Sequence, residues 1–139
     1  YRFDNVIFHP TKARILAVLD WELSTLGHPM VDFAYHCMTW HMVAGETTRG
    51  LAGLDLGAMG IPTEAQYLQA YLQRTGRAQG VSADDWRYYL VFNMFRLAGI
   101  LQGIMKRYVQ GNASNERALQ AGRRTRPLAE QAWALAQLA

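Results

Sequence analysis

The sequence has very little cysteine: Cys37 is the only one among 139 residues, so no disulfide can form within the chain. A single free thiol suits the reducing cytosol, and we expect a cytoplasmic protein. Tyr1 opens directly onto patterned sequence, which predicts no secretory leader. The most apolar stretch, residues 86–109, is interrupted by polar and charged side chains, so we expect no membrane span and no membrane partner.

Charge is also sparse, at 18% of residues, with a formal net charge of +3. The cations are scattered along the chain, whereas nucleic-acid-binding proteins usually concentrate them on one face, so no nucleic-acid partner is expected. Acidic residues are few in the C-terminal part of the chain, which argues mildly against a polycationic ligand. Half of the residues are apolar, and this length and composition predict a single domain, residues 1–139, with one core.

The pattern of apolar residues changes near residue 23. Before it, two short β-branched and apolar runs, residues 6–8 and 15–19, flank a turn that contains Pro10, which predicts a β-hairpin. After it the pattern is helical. Helix starts are indicated by Pro29, Thr63 and Ser82, helix ends by Gly76 and Gly111, and a last helical region from about Ser114 is divided or kinked at Pro127.

Asn5 precedes the first predicted strand and Asp20 follows the second. A hairpin brings those two ends together, so we expect the two side chains to be neighbours. An amide and a carboxylate oxygen are suitable ligands for a hard cation such as Mg2+, which takes its remaining ligands from water and phosphates. The alternatives are ordinary ones: Asn5 can cap a turn, and Asp20 can be a carboxylate of a strand-terminal turn.

A series of motifs resembles the aminoglycoside phosphotransferase family of kinase-like enzymes, in particular the branch fused to acyl-CoA dehydrogenases in animals. Residues 1–5, Tyr-Arg-Phe-Asp-Asn, match the end of that family's catalytic loop, His-Gly-Asp-Tyr-Arg-x-x-Asn. Residues 18–22, Val-Leu-Asp-Trp-Glu, match its metal-binding segment. Further matches are Ser24-Thr25-Leu26-Gly27, Pro29 with Asp32, Gly60-Ile61-Pro62, Arg96-Leu97-Ala98, Gln102-Gly103 and Gly111-Asn112-Ala113.

The resemblance implies an α+β fold that is predominantly α-helical: the C-terminal lobe of a protein-kinase-like fold, with one hairpin and about five helices. Residues 1–22 would be a catalytic-loop remnant and metal-binding hairpin, and residues 23–139 a helical subdomain. The implied activity is transfer of the γ-phosphate of ATP to a hydroxyl of a small molecule, with Mg2+. The acyl-CoA dehydrogenase branch suggests a hydroxyacyl-type acceptor rather than an aminoglycoside.

The resemblance also assigns roles to individual residues. Asn5 and Asp20 would be catalytic metal ligands, and Glu22 either joins them or faces solvent. Asp32 and Arg2 would support the catalytic loop, although a helix-dipole role for Asp32 and a surface ion pair for Arg2 are alternatives. Two candidates for substrate binding lie on the long apolar helix, where a buried arginine would need a partner or a cavity: Asn93 and Arg96.

Two departures from the family pattern bear on activity. The His-Gly-Asp that carries the family's catalytic carboxylate is not in this sequence, so we expect these 139 residues alone to be inactive. His28 stands where the family has an aspartate in a turn. The alternatives to an enzyme are a noncatalytic fragment, which would expose an apolar lobe interface and self-associate, or a pseudokinase that acts as a binding module.

Overall fold

The computed structural model describes residues 3–22, 24–45, 50–77, 79–112 and 116–138. A 3-10 turn, Phe3–Asn5, leads into an antiparallel hairpin of β1, Val6–Phe8, and β2, Ile15–Val18. The helices that follow are α1 (Pro29–Cys37), α2 (Glu64–Arg74), α3 (Ala83–Val109), α4 (Glu116–Arg123) and α5 (Thr125–Ala136), and a 3-10 turn, Met38–Trp40, extends α1. The predicted fold class, a mostly helical α+β fold with one hairpin and about five helices, is confirmed.

The helix boundaries follow the local signals in the sequence. Pro29 is the first residue of α1, where its missing N–H costs no hydrogen bond. Thr63 caps α2 in a capping box with Gln66. The cap of α3 differs from the usual box, since the Ser82 hydroxyl both accepts from the Asp85 N–H and donates to the Asp85 carboxylate. Gly111 has a φ of 76°, the left-handed conformation that ends α3.

Pro127 lies in the first turn of α5 rather than at the break itself. The helical path is interrupted at Arg124, between α4 and α5. A proline within the first turn removes an N–H that has no intrahelical acceptor, so α5 tolerates it while α4 cannot continue through it. The predicted division of the C-terminal helical region is therefore observed, and Ser114 falls outside the described residues.

The core is built around α3, which packs against α1, α4 and α5. Side chains from α1, α3 and α5 and from the segment after α1 are buried together, with Leu90 and Met94 of α3 almost or completely inaccessible. Burial of a leucine or methionine of this kind contributes about 2 kcal/mol of transfer free energy. The rest of the buried cluster is Met30, Ala34, Cys37, Met38, Met42, Trp86, Ala98, Leu101, Leu128 and Ala132.

Asn93 is the exception within this apolar core, because it is polar and fully buried. Its side-chain amide donates to the carbonyl of Val31 in α1 at 2.8 Å and to the carbonyl of Tyr89 in α3 at 2.9 Å. A second contact supports the same junction, the stacking of His28 on Tyr89 with ring centroids 5.4 Å apart. The first turn of α1 is therefore fixed on α3 by two side chains of α3 one turn apart.

The hairpin differs from the helical part in its exposure. Val6 pairs with Val18 and Ile7 with Ala17, and a bulge after Ile7 sets Phe8 against Ile15. Apolar side chains of both strands are exposed, Phe8 at 54% of its surface. Within the described residues, no helix is long and apolar enough to cross a membrane.

We predict that Asn93→Ala lowers the free energy of unfolding by about 2 kcal/mol, because the hydrogen bond from α3 to the Val31 carbonyl of α1 would be lost and a cavity would be left in the core. The measurement is equilibrium denaturation in urea. Gln102→Ala, at an exposed position of the same helix, is the control and should change stability by less than about 0.5 kcal/mol. Equal stability of the two variants would contradict a structural role for the Asn93 amide.

Candidate functional site

The open end of the hairpin brings Asn5 and Asp20 together. The Asn5 side-chain amide donates to a carboxylate oxygen of Asp20 at 2.9 Å, although the residues are 15 positions apart. One strand-end bond reinforces the contact, since the Leu19 N–H donates to the Asn5 carbonyl at 2.8 Å. The structure therefore places side by side the two residues that the sequence singled out.

Asp20 has an unusual backbone conformation. Its φ is 63°, and it is the only non-glycine residue with a positive φ among the residues described. A short polar residue such as aspartate tolerates this left-handed conformation better than most, but at a cost of about 1 kcal/mol or more. The turn that follows holds it in place: the Trp21 indole donates to the Val18 carbonyl at 2.6 Å, and the Ser24 N–H donates to the Trp21 carbonyl at 2.9 Å. Such conformations often occur at functional sites.

The structure describes two of the three other residues predicted for the hairpin site. Glu22 is exposed in the turn after Asp20, and Asp32 is exposed in the first turn of α1. Arg2 lies outside the described residues. His28, which stands where the family has an aspartate, uses its ring to stack on Tyr89, so this departure has a packing role at the start of α1.

Asn93 and Arg96 both lie at the contact between α1 and α3, one inside it and one at its edge. Asn93 is buried and its amide hydrogens are taken by two carbonyls. Arg96 is exposed, so the premise that it is buried was wrong. Its guanidinium lies 4.8 Å from the ring centroid of Tyr35, a cation–π contact that needs no buried partner. Arg96 is exposed because it lies on the outward face of α3. Substrate binding by either residue stays a prediction.

The donor set at the hairpin end suits Mg2+ better than a soft metal. Within the described ranges, no three His, Cys, Asp or Glu side chains converge in a way that could hold a metal ion. Asn5 and Asp20 offer amide and carboxylate oxygens at a solvent-accessible position. Mg2+ is usually held by one or two protein carboxylates together with water and phosphate oxygens, so these residues fit it.

A second feature, which the sequence analysis did not anticipate, is an aromatic cleft of about 420 Å3 beside the end of α1. It is lined by side chains from α1, the turn after it, the segment before α2, and α2 itself. The sequence contained a hint in Gly60-Ile61-Pro62, which carried the family resemblance without an assigned role. The lining residues are His36, Thr39, Trp40, Leu51, Gly60, Ile61, Pro62 and Tyr67.

Next to this cleft, Glu64 anchors the start of α2. Its carboxylate accepts a hydrogen bond from the Trp86 indole at 3.0 Å and contacts the His41 ring nitrogen at 2.8 Å. Burial, with a smaller contribution from the charge of Glu64, raises the pKa of the Cys37 thiol to about 12. Burial also lowers the pKa of His36. Both groups are therefore neutral at pH 7.

Comparison with known proteins decides the family. The model of the phosphotransferase enzyme family matches residues 1–89, which is more than half of the chain. The chain belongs to this family. Its fold is similar to that of a candidate aminoglycoside phosphotransferase from Ralstonia eutropha JMP134, with a TM-score of 0.89 and 62% identity over 99% of this chain and 40% of that one.

The curated relatives are longer proteins. The chain is 45% identical over 134 residues to mouse acyl-CoA dehydrogenase family member 10, covering 96% of this chain and 12% of the relative. It is 39% identical over 134 residues to chicken acyl-CoA dehydrogenase family member 11, covering 94% of this chain and 17% of the relative. The chain thus corresponds to the kinase-like part of these proteins and spans less than a fifth of their length.

We predict that Cys37 resists alkylation by iodoacetamide at pH 8 in the folded protein. The thiolate is the reactive form, and a pKa raised to about 12 reduces its population far below that of an unfolded cysteine. We expect labelling at least about a hundredfold slower in buffer than in denaturant, measured by mass spectrometry.

The same shift has a consequence for stability. Folding raises the pKa of the Cys37 thiol, so the protonated thiol contributes to the stability of the folded state. This contribution is fully present below the unfolded pKa of about 9 and is lost as the pH rises toward 12. Cys37→Ala should therefore flatten the pH dependence of stability in that range. If iodoacetamide labelled Cys37 as fast in the native protein as in denaturant, the raised pKa of this thiol would be contradicted.

Proposed function

We propose that this chain is the metal-binding and helical part of a phosphotransferase that uses ATP and Mg2+ to phosphorylate a hydroxyl of a small molecule. The observation that carries the proposal is the Asn5–Asp20 pair, 2.9 Å apart at the open end of a hairpin, in a member of the phosphotransferase enzyme family. That both oxygen-bearing side chains are present favours an enzyme over a degenerate binding module.

In this proposal Asn5 and Asp20 hold Mg2+, with Glu22 as a further ligand or a solvent-facing neighbour. When bound, Mg2+ would offset the negative charge that develops on the transferred phosphoryl group. The hairpin fixes the spacing of the two ligands, and the left-handed backbone at Asp20 turns the chain sharply beyond the strand. Little of the rate in phosphoryl transfer comes from covalent chemistry of the protein, so this positioning is the main contribution of these residues.

The remaining predicted residues support the site. Asp32, in the first turn of α1, and Arg2 would hold the shape of the catalytic loop. The carboxylate that orients the acceptor hydroxyl, or accepts its proton, would come from the family's His-Gly-Asp motif, which these 139 residues do not contain. We therefore propose that they do not catalyse without a polypeptide that supplies that carboxylate.

For the acceptor, we propose a hydroxyacyl-type compound rather than an aminoglycoside. The support is the similarity to the kinase-like part of acyl-CoA dehydrogenase family members and the small number of acidic residues in the helical part of the sequence. Asn93 and Arg96 remain substrate-binding candidates. Self-association through the exposed apolar hairpin is proposed for the chain by itself.

We predict that Asp20→Asn lowers kcat for phosphoryl transfer by at least about a hundredfold in a polypeptide that also contains the His-Gly-Asp motif. Asn5→Ala should have a similar effect, because it removes an oxygen ligand, whereas Asp20→Asn removes the negative charge that attracts the cation. The measurement is ADP release with a panel of hydroxylated small molecules, together with Mg2+-dependent ATP binding by calorimetry.

Asp84→Asn is the matched control, since Asp84 is an exposed aspartate whose carboxylate contacts Arg87. It should leave both readouts unchanged. Circular dichroism should show the same helical content for all variants. Near-normal turnover and Mg2+-dependent ATP binding by a folded Asp20→Asn variant would exclude Asp20 as a metal ligand.

We also predict that the 139-residue chain alone shows no ATP turnover, while a longer polypeptide with the upstream motif does. The two are compared at equal concentration and Mg2+, and intact mass confirms the length of each. Turnover by the short chain, abolished by Asp20→Asn, would show that another group acts in place of the missing carboxylate.

A further inference from the structure

The aromatic cleft is held open by bonds between the segments that form it. The Trp40 indole donates to the Pro62 carbonyl at 3.2 Å, and the Leu51 N–H donates to the Thr39 carbonyl at 2.8 Å. Gly50 permits the close approach of its segment, since a Cβ at this position would lie 1.8 Å from the Met42 carbonyl oxygen. The cleft is therefore preformed and does not need a ligand to assemble its walls.

The walls are aromatic on two sides. The rings of Trp40 and Tyr67 are stacked at 5.3 Å with an angle of 24°, and the His36 ring meets Trp40 edge-on at 6.0 Å. Tyr67 is backed by Phe33, whose ring is stacked on it at 5.3 Å. Because Trp40 and Phe33 both stack on Tyr67, these rings are rigid and present mainly their edges to the cleft.

The lining carries no net charge. Its residues include no Asp, Glu, Lys or Arg within the part of the chain that the structure describes. Burial lowers the pKa of His36, which keeps that ring neutral at pH 7. Two polar hydrogens of the lining are used within the protein, as the Thr39 hydroxyl donates to the His36 carbonyl at 2.9 Å and the Trp40 indole to Pro62. The described lining therefore offers no oppositely charged side chain to offset the lost hydration of a charged ligand group.

We propose that this cleft is a binding site for an uncharged planar ring of a small molecule, held against Ile61 and the ring edges of Trp40 and Tyr67. A volume of about 420 Å3 lies in the range of small-molecule sites, and such sites are mostly apolar and aromatic. Flat rings gain from edge-to-face contacts with aromatic side chains in addition to the burial of apolar surface, which favours a ring over a saturated group of the same size. The proposal does not depend on the phosphotransferase chemistry, because binding here requires neither ATP nor a metal.

The test uses four ligands of similar size that differ in one property each. Benzyl alcohol is uncharged and planar, cyclohexylmethanol is uncharged and not planar, benzoate is anionic and benzylamine is cationic at pH 7. Calorimetry and saturation-transfer NMR measure binding to the unmodified protein. We expect benzyl alcohol to bind with a Kd on the order of 1 mM, as befits so small a ligand.

Cyclohexylmethanol should bind between about two- and tenfold more weakly, and the two charged ligands should bind more weakly still. Equal binding of cyclohexylmethanol would overturn the preference for a ring, and stronger binding of benzoate or benzylamine would overturn the neutral character of the site. No binding of any of the four would overturn the site itself. These comparisons do not depend on any variant being folded.

A pair of variants locates the binding. Ile61→Asn places an amide in the cleft wall and should raise the Kd of benzyl alcohol at least about fivefold. Ile100→Asn makes the same change at an exposed position of α3 and should leave the affinity unchanged. Thermal unfolding confirms that both are folded. Unchanged affinity in a folded Ile61→Asn variant would show that the ligand binds elsewhere.

Discussion

The packing of α1 on α3 is the contact on which the rest of the structure depends. A helix of 27 residues extends for about 40 Å, which allows α3 to support α1, α4 and α5 along one length. The decisive interaction is the buried Asn93 amide, which binds the Val31 carbonyl at 2.8 Å. An apolar side chain could fill the same volume, but it would remove the hydrogen bond that links α3 to the backbone of α1 and would leave α1 freer to slide or rotate. Asn93 therefore fixes the register of the two helices.

The register of α1 on α3 also sets the position of Asp32, which is proposed to support the catalytic loop. Val31, which Asn93 holds, directly precedes Asp32, and His28, which stacks on Tyr89, marks the start of the same turn. The position of Asp32 is thus set from α3 by two contacts, one polar and one aromatic. The hairpin has a different basis, because its apolar side chains are exposed and a two-stranded ribbon is only marginally stable by itself. The relative position of Asn5 and Asp20 is instead fixed by local hydrogen bonds and by the turn after β2.

The sequence predicted those parts of the fold that depend on local signals. Thr63, Ser82 and Gly111 mark helix ends because a hydroxyl or a left-handed glycine acts within one turn of its own position. The proximity of Asn5 and Asp20 followed from hairpin topology in the same way. The exposure of Arg96 did not follow, since the face of a long apolar helix that becomes buried depends on which helices pack against it. The aromatic cleft also depends on contacts between distant segments, which no local pattern encodes.

The neutrality of the cleft depends on how the neighbouring carboxylate is satisfied. Glu64 is partly buried beside Cys37 and the ring cluster, where an unpaired charge would be costly. It contacts His41 at 2.8 Å, accepts a hydrogen bond from the Trp86 indole at 3.0 Å, and lies in the first turn of α2, where the helix dipole favours an acid. Since these three interactions balance the carboxylate within the protein, it does not need a cation from the cleft. The acid at the start of α2 therefore anchors the helix while the adjoining surface stays suited to an uncharged ligand.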